Sequence, residues 1–438
     1  MALTWKSSPV AALEGALRVP GDKSISHRAI MLGALAESRT EVSGFLEGED
    51  CLATMRAFQA MGVPITHHGQ GRVSIDGQGL HGLKAPTQVL DVGNSGTSMR
   101  LMAGVLAGQA FDSVLVGDSS LMKRPMRRVT EPLALMGASI ETTESGTAPL
   151  RIQGRPLQGI DYTLPVASAQ LKSCLLLAGL YAEGETRITE IGISRDHSER
   201  MLGGFGVQIA QSGATLSIRG GQTLRGCEVV VPGDVSSAAF FIVAALIAER
   251  GEVLIENVGM NPTRSAVVEI LQMMGGKILI ENTREAGGEP VADLRVCASA
   301  LQGIEIPKHL VPIAIDEFPI LFVAAACAEG ETLAGDLAEL RVKESDRLAA
   351  MEMGLKVLGV DCQAGQDSMR IRGKGGTAFS GGVIDSLGDH RIAMSFAVAA
   401  LRSAAAIEIR DCDNVATSFP NFRDLAQGIG MQIEVSDA

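Results

Sequence analysis

Six times, at intervals of about 70 residues, this chain runs through the same order of signals, and a repeat of that length constrains its fold more than any local motif. A polar helix start opens a helix of small apolar residues. A short strand follows, and then a second helix that ends in Gly-x-x-apolar. The starts are Pro20-Gly21-Asp22-Lys23-Ser24, Val92-Gly93-Asn94-Ser95-Gly96, Pro165-Val166-Ala167-Ser168, Pro232-Gly233-Asp234-Val235-Ser236, Ile315-Asp316-Glu317-Phe318 and Leu387-Gly388-Asp389-His390-Arg391. The second helices end at Gly62, Gly137, Gly206, Gly275, Gly359 and Gly430, with Ile65, Ile140, Ile209, Ile278, Cys362 and Ile433 three residues on. One such unit cannot bury its own apolar faces, so several must stack. Alternating helix and strand signals imply parallel pairing with helices packed on sheets. Six units suggest two groups of three.

In the first unit Ile25, Ala29, Leu32 and Ala36 form one helical stripe. Thr40 to Phe45 reads as a strand, Cys51, Met55 and Phe58 mark the second helix, and Val63 to Thr66 and Arg72 to Ile75 close a β-α-β-α-β-β order. Later strands are expected at Ser113–Val116, Thr186–Ile191, Val253–Val258 and Ala406–Ile409.

A hydrophobic content of 46% supplies ample core for two or three domains. With 3% aromatic residues and a net charge of −12, stacking platforms and an extended nucleic-acid surface are not expected. A local basic pocket for a small anion remains compatible with that charge. Seven cysteines are scattered without a CxxC pair, which suggests small core residues, a reducing compartment and no structural zinc. The first ten residues lack a signal-peptide apolar region, and the longest apolar run, Ala238 to Ala248, is too short to span a bilayer. The expectation is a soluble cytoplasmic protein without a membrane segment.

Most of the notable Lys and Arg residues stand at helix starts. There the unpaired N–H groups and the positive dipole end make a ready anion site. Lys23, Ser24 and Arg28 lie at the first start, Ser95, Thr97 and Arg100 at the second, Ser168 and Gln170 at the third, and Asp389, His390 and Arg391 at the sixth. Singly, a Ser or Asp before an apolar run is more often a cap than a ligand. Recurrence at equivalent points of stacked repeats favours convergence. A cluster of Lys, Arg, Ser and Gln would bind phosphate and carboxylate.

Pro20-Gly21-Asp22-Lys23-Ser24-Ile25-Ser26-His27-Arg28, Gly93-Asn94-Ser95-Gly96-Thr97-Ser98-Met99-Arg100, Lys123-Arg124-Pro125-Met126, Arg341-Val342-Lys343-Glu344-Ser345-Asp346-Arg347 and Asp389-His390-Arg391-Ile392-Ala393-Met394 together resemble the 3-phosphoshikimate 1-carboxyvinyltransferases, or EPSP synthases. The resemblance runs from about Leu17 to Glu434. Ala167-Ser168-Ala169-Gln170 and Ser194-Arg195-Asp196-His197 look like the bacterial group called class II. It implies a two-domain inside-out α/β barrel of six βαβαββ repeats, three per domain. Residues 1–20 would join residues 233–438, residues 21–232 would form the second domain, and the active site would lie in the cleft between them.

The resemblance also implies a reaction. The enolpyruvyl group of phosphoenolpyruvate passes to the 5-hydroxyl of shikimate 3-phosphate, without cofactor or metal, in a monomer that glyphosate can inhibit. Carried over residue by residue, Lys23, Ser24, Arg28, Ser168, Ala169, Gln170, Arg195, Asp316 and Lys343 would bind shikimate 3-phosphate. Lys23, Gly96, Arg124, Gln170, Arg347 and Arg391 would bind phosphoenolpyruvate. Asp316 would take the hydroxyl proton, Glu344 would protonate C3, and Lys23 and Lys343 would assist. His27 and His390 are expected to hydrogen-bond within their own turns. Many members carry a Lys before a Thr-Phe-Pro turn, but here Ala416-Thr417-Ser418-Phe419-Pro420 lacks it, and no contact is assigned there. The UDP-N-acetylglucosamine carboxyvinyltransferases, of the same fold, place a catalytic Cys before an Arg-Pro pair, whereas Gly117 to Pro125 contains none. A non-catalytic binder of phosphorylated ligands is the third reading, and the presence of both Asp316 and Glu344 argues against it.

Overall fold

In the computed structural model, which describes residues 3–437, twelve α-helices alternate with short strands. The helices are α1 (Lys23–Leu35), α2 (Glu49–Ala60), α3 (Gly96–Ala107), α4 (Arg127–Leu135), α5 (Ala169–Gly179), α6 (His197–Gly204), α7 (Val235–Ile247), α8 (Ala266–Met273), α9 (Phe318–Cys327), α10 (Arg347–Val357), α11 (His390–Ala399) and α12 (Phe422–Gly428). The chain divides into two compact units. The terminal unit comprises the chain up to Pro20, Pro232–Glu285 and the chain from Glu289 onward; the central unit comprises Gly21–Val231 with Ala286–Gly288.

The odd-numbered helices are the small-residue ones, and they lie in the core. All thirteen residues of α7 are buried, as are the eleven from Ile25 to Leu35 of α1. In the terminal unit α7, α9 and α11 pack pairwise; in the central unit α3 packs on α1 and α5. Small residues permit close approach. A Cβ at Gly104 of α3 would lie 2.3 Å from the carbonyl oxygen of Cys174 on α5, so only glycine fits that crossing. The sheets bury alternate residues, as in Arg39–Ser43 and Glu331–Ala334.

The repeated Gly has a common cause. After every even-numbered helix the glycine takes a positive φ, from +75° at Gly359 to +107° at Gly430. The N–H of the next residue turns back to a carbonyl in the last helical turn: Val63 to Phe58, Ala138 to Leu133, Val207 to Leu202, Gly276 to Leu271, Val360 to Leu355 and Met431 to Ala426, all at 2.9–3.2 Å. This is the left-handed glycine cap, used six times. The apolar residue that follows begins or joins a strand.

Each repeat builds one sheet, but the strands are not all local. The first repeat takes its first strand, Glu228–Val230, from the far end of the central unit, parallel to Arg39–Ser43. In the terminal unit Ala12–Leu17 pairs in parallel with Arg250–Gly259 and opens the fourth repeat. Leu3–Ser8 lies between Ile407–Arg410 and Gln432–Asp437 and completes the sixth. The fifth repeat departs from the expected order. Its sheet has three strands, and the first strand is reduced to isolated bridges, Gln302 to Glu329 and Glu305 to Leu333. Pro307 follows at once and has no N–H for a ladder. The strand expected at Thr186–Ile191 instead spans Glu185–Thr189, because its partner strand begins at Thr215, opposite Thr189, and beyond that Glu190 N–H bonds only to the Ala214 carbonyl. The cysteines are free thiols; Cys51, Cys174, Cys362 and Cys412 are buried, whereas Cys227, Cys297 and Cys327 are partly exposed. Among the described residues no helix is long and apolar enough to cross a membrane.

Candidate active site

The helix starts settle first as caps. Asp22 accepts from Ile25 N–H at 2.9 Å, Ser95 from Ser98 at 3.1 Å, Ser168 from Leu171 at 3.4 Å, Asp234 from Ser236 at 2.8 Å and Asp389 from Arg391 at 2.9 Å. The fifth start differs: a 3₁₀ turn, Ile315–Glu317, leads into α9 with no side-chain cap. A capping carboxylate or hydroxyl fixes the direction of the first turn, and that turn carries the cations.

In the central unit Lys23 is the first residue of α1, and its Nζ lies 3.1 Å from the buried Asp50. Arg28, one turn on, is 4% exposed. Its Nε donates to Ser198 Oγ and one Nη to Ser173 Oγ, both at 2.7 Å, while the other Nη donates to the Ser24 carbonyl at 2.9 Å. Arg28 thus joins α1, α5 and α6. Gly96 opens α3, and a Cβ there would meet Arg100 Nη1 at 3.1 Å and Arg124 Nη1 at 3.3 Å. Arg124 donates to Asn94 Oδ1 at 2.8 Å. Gln170 donates to Thr97 Oγ1 at 3.1 Å and accepts from Arg100 at 2.6 Å. Ala169 and Gln170 are the first residues of α5, and Arg195 precedes α6.

His27 corrects the expectation of a bond within its own turn. Its Nδ1 lies 2.8 Å from Thr54 Oγ1 on α2 and 3.3 Å from Ser98 Oγ on α3. Burial, reinforced by Lys23 and Arg28, holds its pKa well below the ordinary 6.5, so the ring is a neutral bridge between three helices.

In the terminal unit Asp316, Lys343, Glu344, Arg347 and Arg391 come together. Lys343 Nζ lies 3.3 Å from Asp316 Oδ1, Arg347 Nη1 3.7 Å from the same oxygen, and Arg347 Nη2 2.6 Å from Glu344. Arg391 donates to the Asp316 carbonyl at 2.8 Å and lies 3.4 Å from the Glu317 carboxylate. Arg347 is 1% exposed, and its Nε donates to Asp389 Oδ2 at 2.8 Å. Burial opposes its charge, but Asp389, Glu344 and Asp316 outweigh burial and push its pKa above the usual value. Burial likewise opposes ionisation of Asp389, yet Arg347 keeps that carboxyl below its usual range. Glu344 stands in the turn before α10, not on a helix surface. The arrangement offers two carboxylates from separate segments, each touching a cation, which suits proton transfer to and from one reacting group.

One family matches this chain along nearly its whole length. The profile described as EPSP synthase (3-phosphoshikimate 1-carboxyvinyltransferase) matches residues 8–425. The chain belongs to the EPSP synthase family. It is 60% identical over 435 residues to the 3-phosphoshikimate 1-carboxyvinyltransferase of Methylococcus capsulatus, covering 99% of both chains. It is 61% identical over 431 residues to that of Alkalilimnicola ehrlichii, covering 98% of this chain and 96% of that one. Among solved structures, an EPSP synthase from Acinetobacter baumannii superposes with a TM-score of 0.90 at 54% identity, covering 99% of this chain and 100% of that one.

Several partners of the motif residues were not read from sequence: Asp50 against Lys23, the role of Asp389 as the anchor of Arg347, and Glu317 behind Arg391. Ser236 donates to Glu317, and Arg264 donates to Ser236 at 2.6 Å, so a buried polar chain backs Arg391. Asp389 was visible as a helix start. Its pairing with Arg347 joins separate segments and leaves no local signal.

Proposed function

We infer that this protein transfers the enolpyruvyl group of phosphoenolpyruvate to the 5-hydroxyl of shikimate 3-phosphate, giving 5-enolpyruvylshikimate 3-phosphate and phosphate. The observation that carries this reading is the meeting of Asp316, Lys343, Glu344 and Arg347 within one family-matched chain. Asp316 takes the proton of the 5-hydroxyl as its oxygen attacks C2 of phosphoenolpyruvate, and Glu344 delivers a proton to C3. The tetrahedral adduct then loses a C3 proton and the phosphate at C2, which restores the double bond. Lys23, Lys343 and the arginines meet the charge that builds on phosphate and carboxylate.

In this scheme Lys23, Ser24, Arg28, Ser168, Ala169, Gln170, Arg195, Asp316 and Lys343 hold shikimate 3-phosphate. Lys23, Gly96, Arg124, Gln170, Arg347 and Arg391 hold phosphoenolpyruvate. Residues of both units therefore serve one reaction, in a cytoplasmic monomer, and glyphosate competes for the phosphoenolpyruvate subsite. Turnover in D₂O tests the roles: C3 protonation places deuterium in the enolpyruvyl methylene of the product. Glu344→Gln should lower turnover and deuterium incorporation together. Full turnover by Glu344→Gln or Asp316→Asn would refute the assignments.

A further inference from the structure

Lys172 is 1% exposed, and the scheme above gives it no task. It stands on α5, one turn after the Ser168 cap, with its Nζ 3.0 Å from Glu190 Oε2 and 2.6 Å from Glu199 Oε1. A buried ammonium must be paired, but one carboxylate would neutralise it. The second carboxylate is more than charge balance requires, and burial raises the Glu199 pKa despite the lysine. Stability alone is a poor reason for that surplus.

The position of the two acids supplies a better one. They lie on either side of Arg195 in the chain. The other oxygen of Glu190 accepts from Ser194 Oγ at 2.5 Å, so an unbroken chain runs Lys172–Glu190–Ser194 to the residue before Arg195. Between these points Ile191 and Ile193 are 62% and 61% exposed, so core burial does not fix the loop. On the far side Glu199 ties Lys172 to the first turn of α6. The adjacent residue of each helix repeats the device: Ser173 and Ser198 lie 2.6 Å apart, and both accept from Arg28. Consecutive residues of α5 thus grip consecutive residues of α6.

We propose that Lys172 is a positioning residue for shikimate 3-phosphate, holding the Arg195 loop through Glu190 and Ser194 while Ser173 and Ser198 hold Arg28. This rests on the binding roles assigned above to Arg28 and Arg195. The sugar phosphate should feel the frame more than phosphoenolpyruvate does, because Arg28 and Arg195, the residues it holds, are assigned above to the sugar phosphate alone.

The test is a comparison of Lys172→Met, Glu190→Gln, Ser194→Ala and Arg195→Ala, with KM measured separately for each substrate. A guanidinium displaced by about 1 Å loses on the order of 10-fold or more in productive binding. Ser194→Ala and Glu190→Gln should therefore raise KM for shikimate 3-phosphate about 10-fold. KM for phosphoenolpyruvate and Tm should stay near wild type. Lys172→Met should raise the same KM further, and Lys172→Arg, which keeps the charge, should recover part of it. If Lys172→Met does not fold, the Ser194 and Glu190 variants still decide, because both leave the Lys172–Glu199 pair in place. Equal changes in both KM values, or no change, beside a large effect of Arg195→Ala would overturn the positioning role alone. No effect of Arg195→Ala would overturn the site assignment beneath it.

Discussion

Lys343 Nζ stands 3.3 Å from Asp316 Oδ1, and this pair ties the turn before α10 to the turn before α9. The Asp316 side chain faces two cations, while its carbonyl is held by Arg391. The carboxylate is oriented from both ends, which suits the general-base role proposed for it.

Asp316→Asn keeps the shape and the backbone contact but removes the carboxylate proposed as the base. We expect kcat to fall about 10²–10⁴-fold. Melting should change little, because Lys343 also has Glu339 at 3.7 Å and Arg347 retains Glu344 and Asp389. Unchanged kcat would remove Asp316 from the chemistry; a collapsed Tm would make it structural.

Lys23→Ala should cost about 10²–10³ in rate, the usual loss when a fixed group that meets transition-state charge is truncated. From sequence, the truncation looks harmless to stability. The ion pair with buried Asp50 changes that expectation, because the carboxylate loses a partner. Lys23→Ala/Asp50→Asn should regain Tm without regaining rate. Recovery of both would show that Lys23 acts only through Asp50.

The architecture was legible where its causes are local. Six glycines that must take positive φ announce six helix ends, and five side-chain caps announce helix starts. Strands supplied from far away left no local signal: residues 1–20 were joined to residues 233–438 only through the family resemblance, and nothing in Leu3–Ser8 or Glu228–Val230 itself says which sheet edge is open to it. The site divides the same way. Lys343, Glu344 and Arg347 share one motif, whereas the pairs Arg347–Asp389, Lys23–Asp50 and Lys172–Glu190 join distant segments and leave no spacing to read.

His27 should make stability fall on acidification. Burial, with Lys23 and Arg28, depresses its folded pKa well below 6.5, so below that pH the unfolded chain binds a proton that the native ring refuses. The contribution is complete above pH 6.5 and is lost as pH falls toward the folded pKa. His27→Gln removes the linkage. Its stability deficit, measured by urea unfolding, should narrow by up to about 1.4 kcal/mol per pH unit below the unfolded pKa. A deficit constant from about pH 7.5 to about pH 5 would contradict the buried neutral ring.

Gly96→Ala places a methyl against Arg100 and Arg124 at 3.1 and 3.3 Å. Both contacts are ends of flexible side chains, so folding should survive while the Arg124 guanidinium shifts. An added methyl in a tight pocket costs about 1–3 kcal/mol. Glyphosate, longer than phosphoenolpyruvate, should bear most of this. Its inhibition constant should rise about 10-fold or more, with a smaller rise in KM for phosphoenolpyruvate. Equal weakening of both ligands would place position 96 away from the longer one.

The most direct measurement is phosphate release from phosphoenolpyruvate with each acceptor in turn. The wild-type chain should release phosphate with shikimate 3-phosphate in step with formation of the enolpyruvyl ether. It should release none with UDP-N-acetylglucosamine, and Asp316→Asn and Glu344→Gln should silence the reaction. Release that requires the nucleotide sugar, or no release with shikimate 3-phosphate from folded protein, would contradict the account.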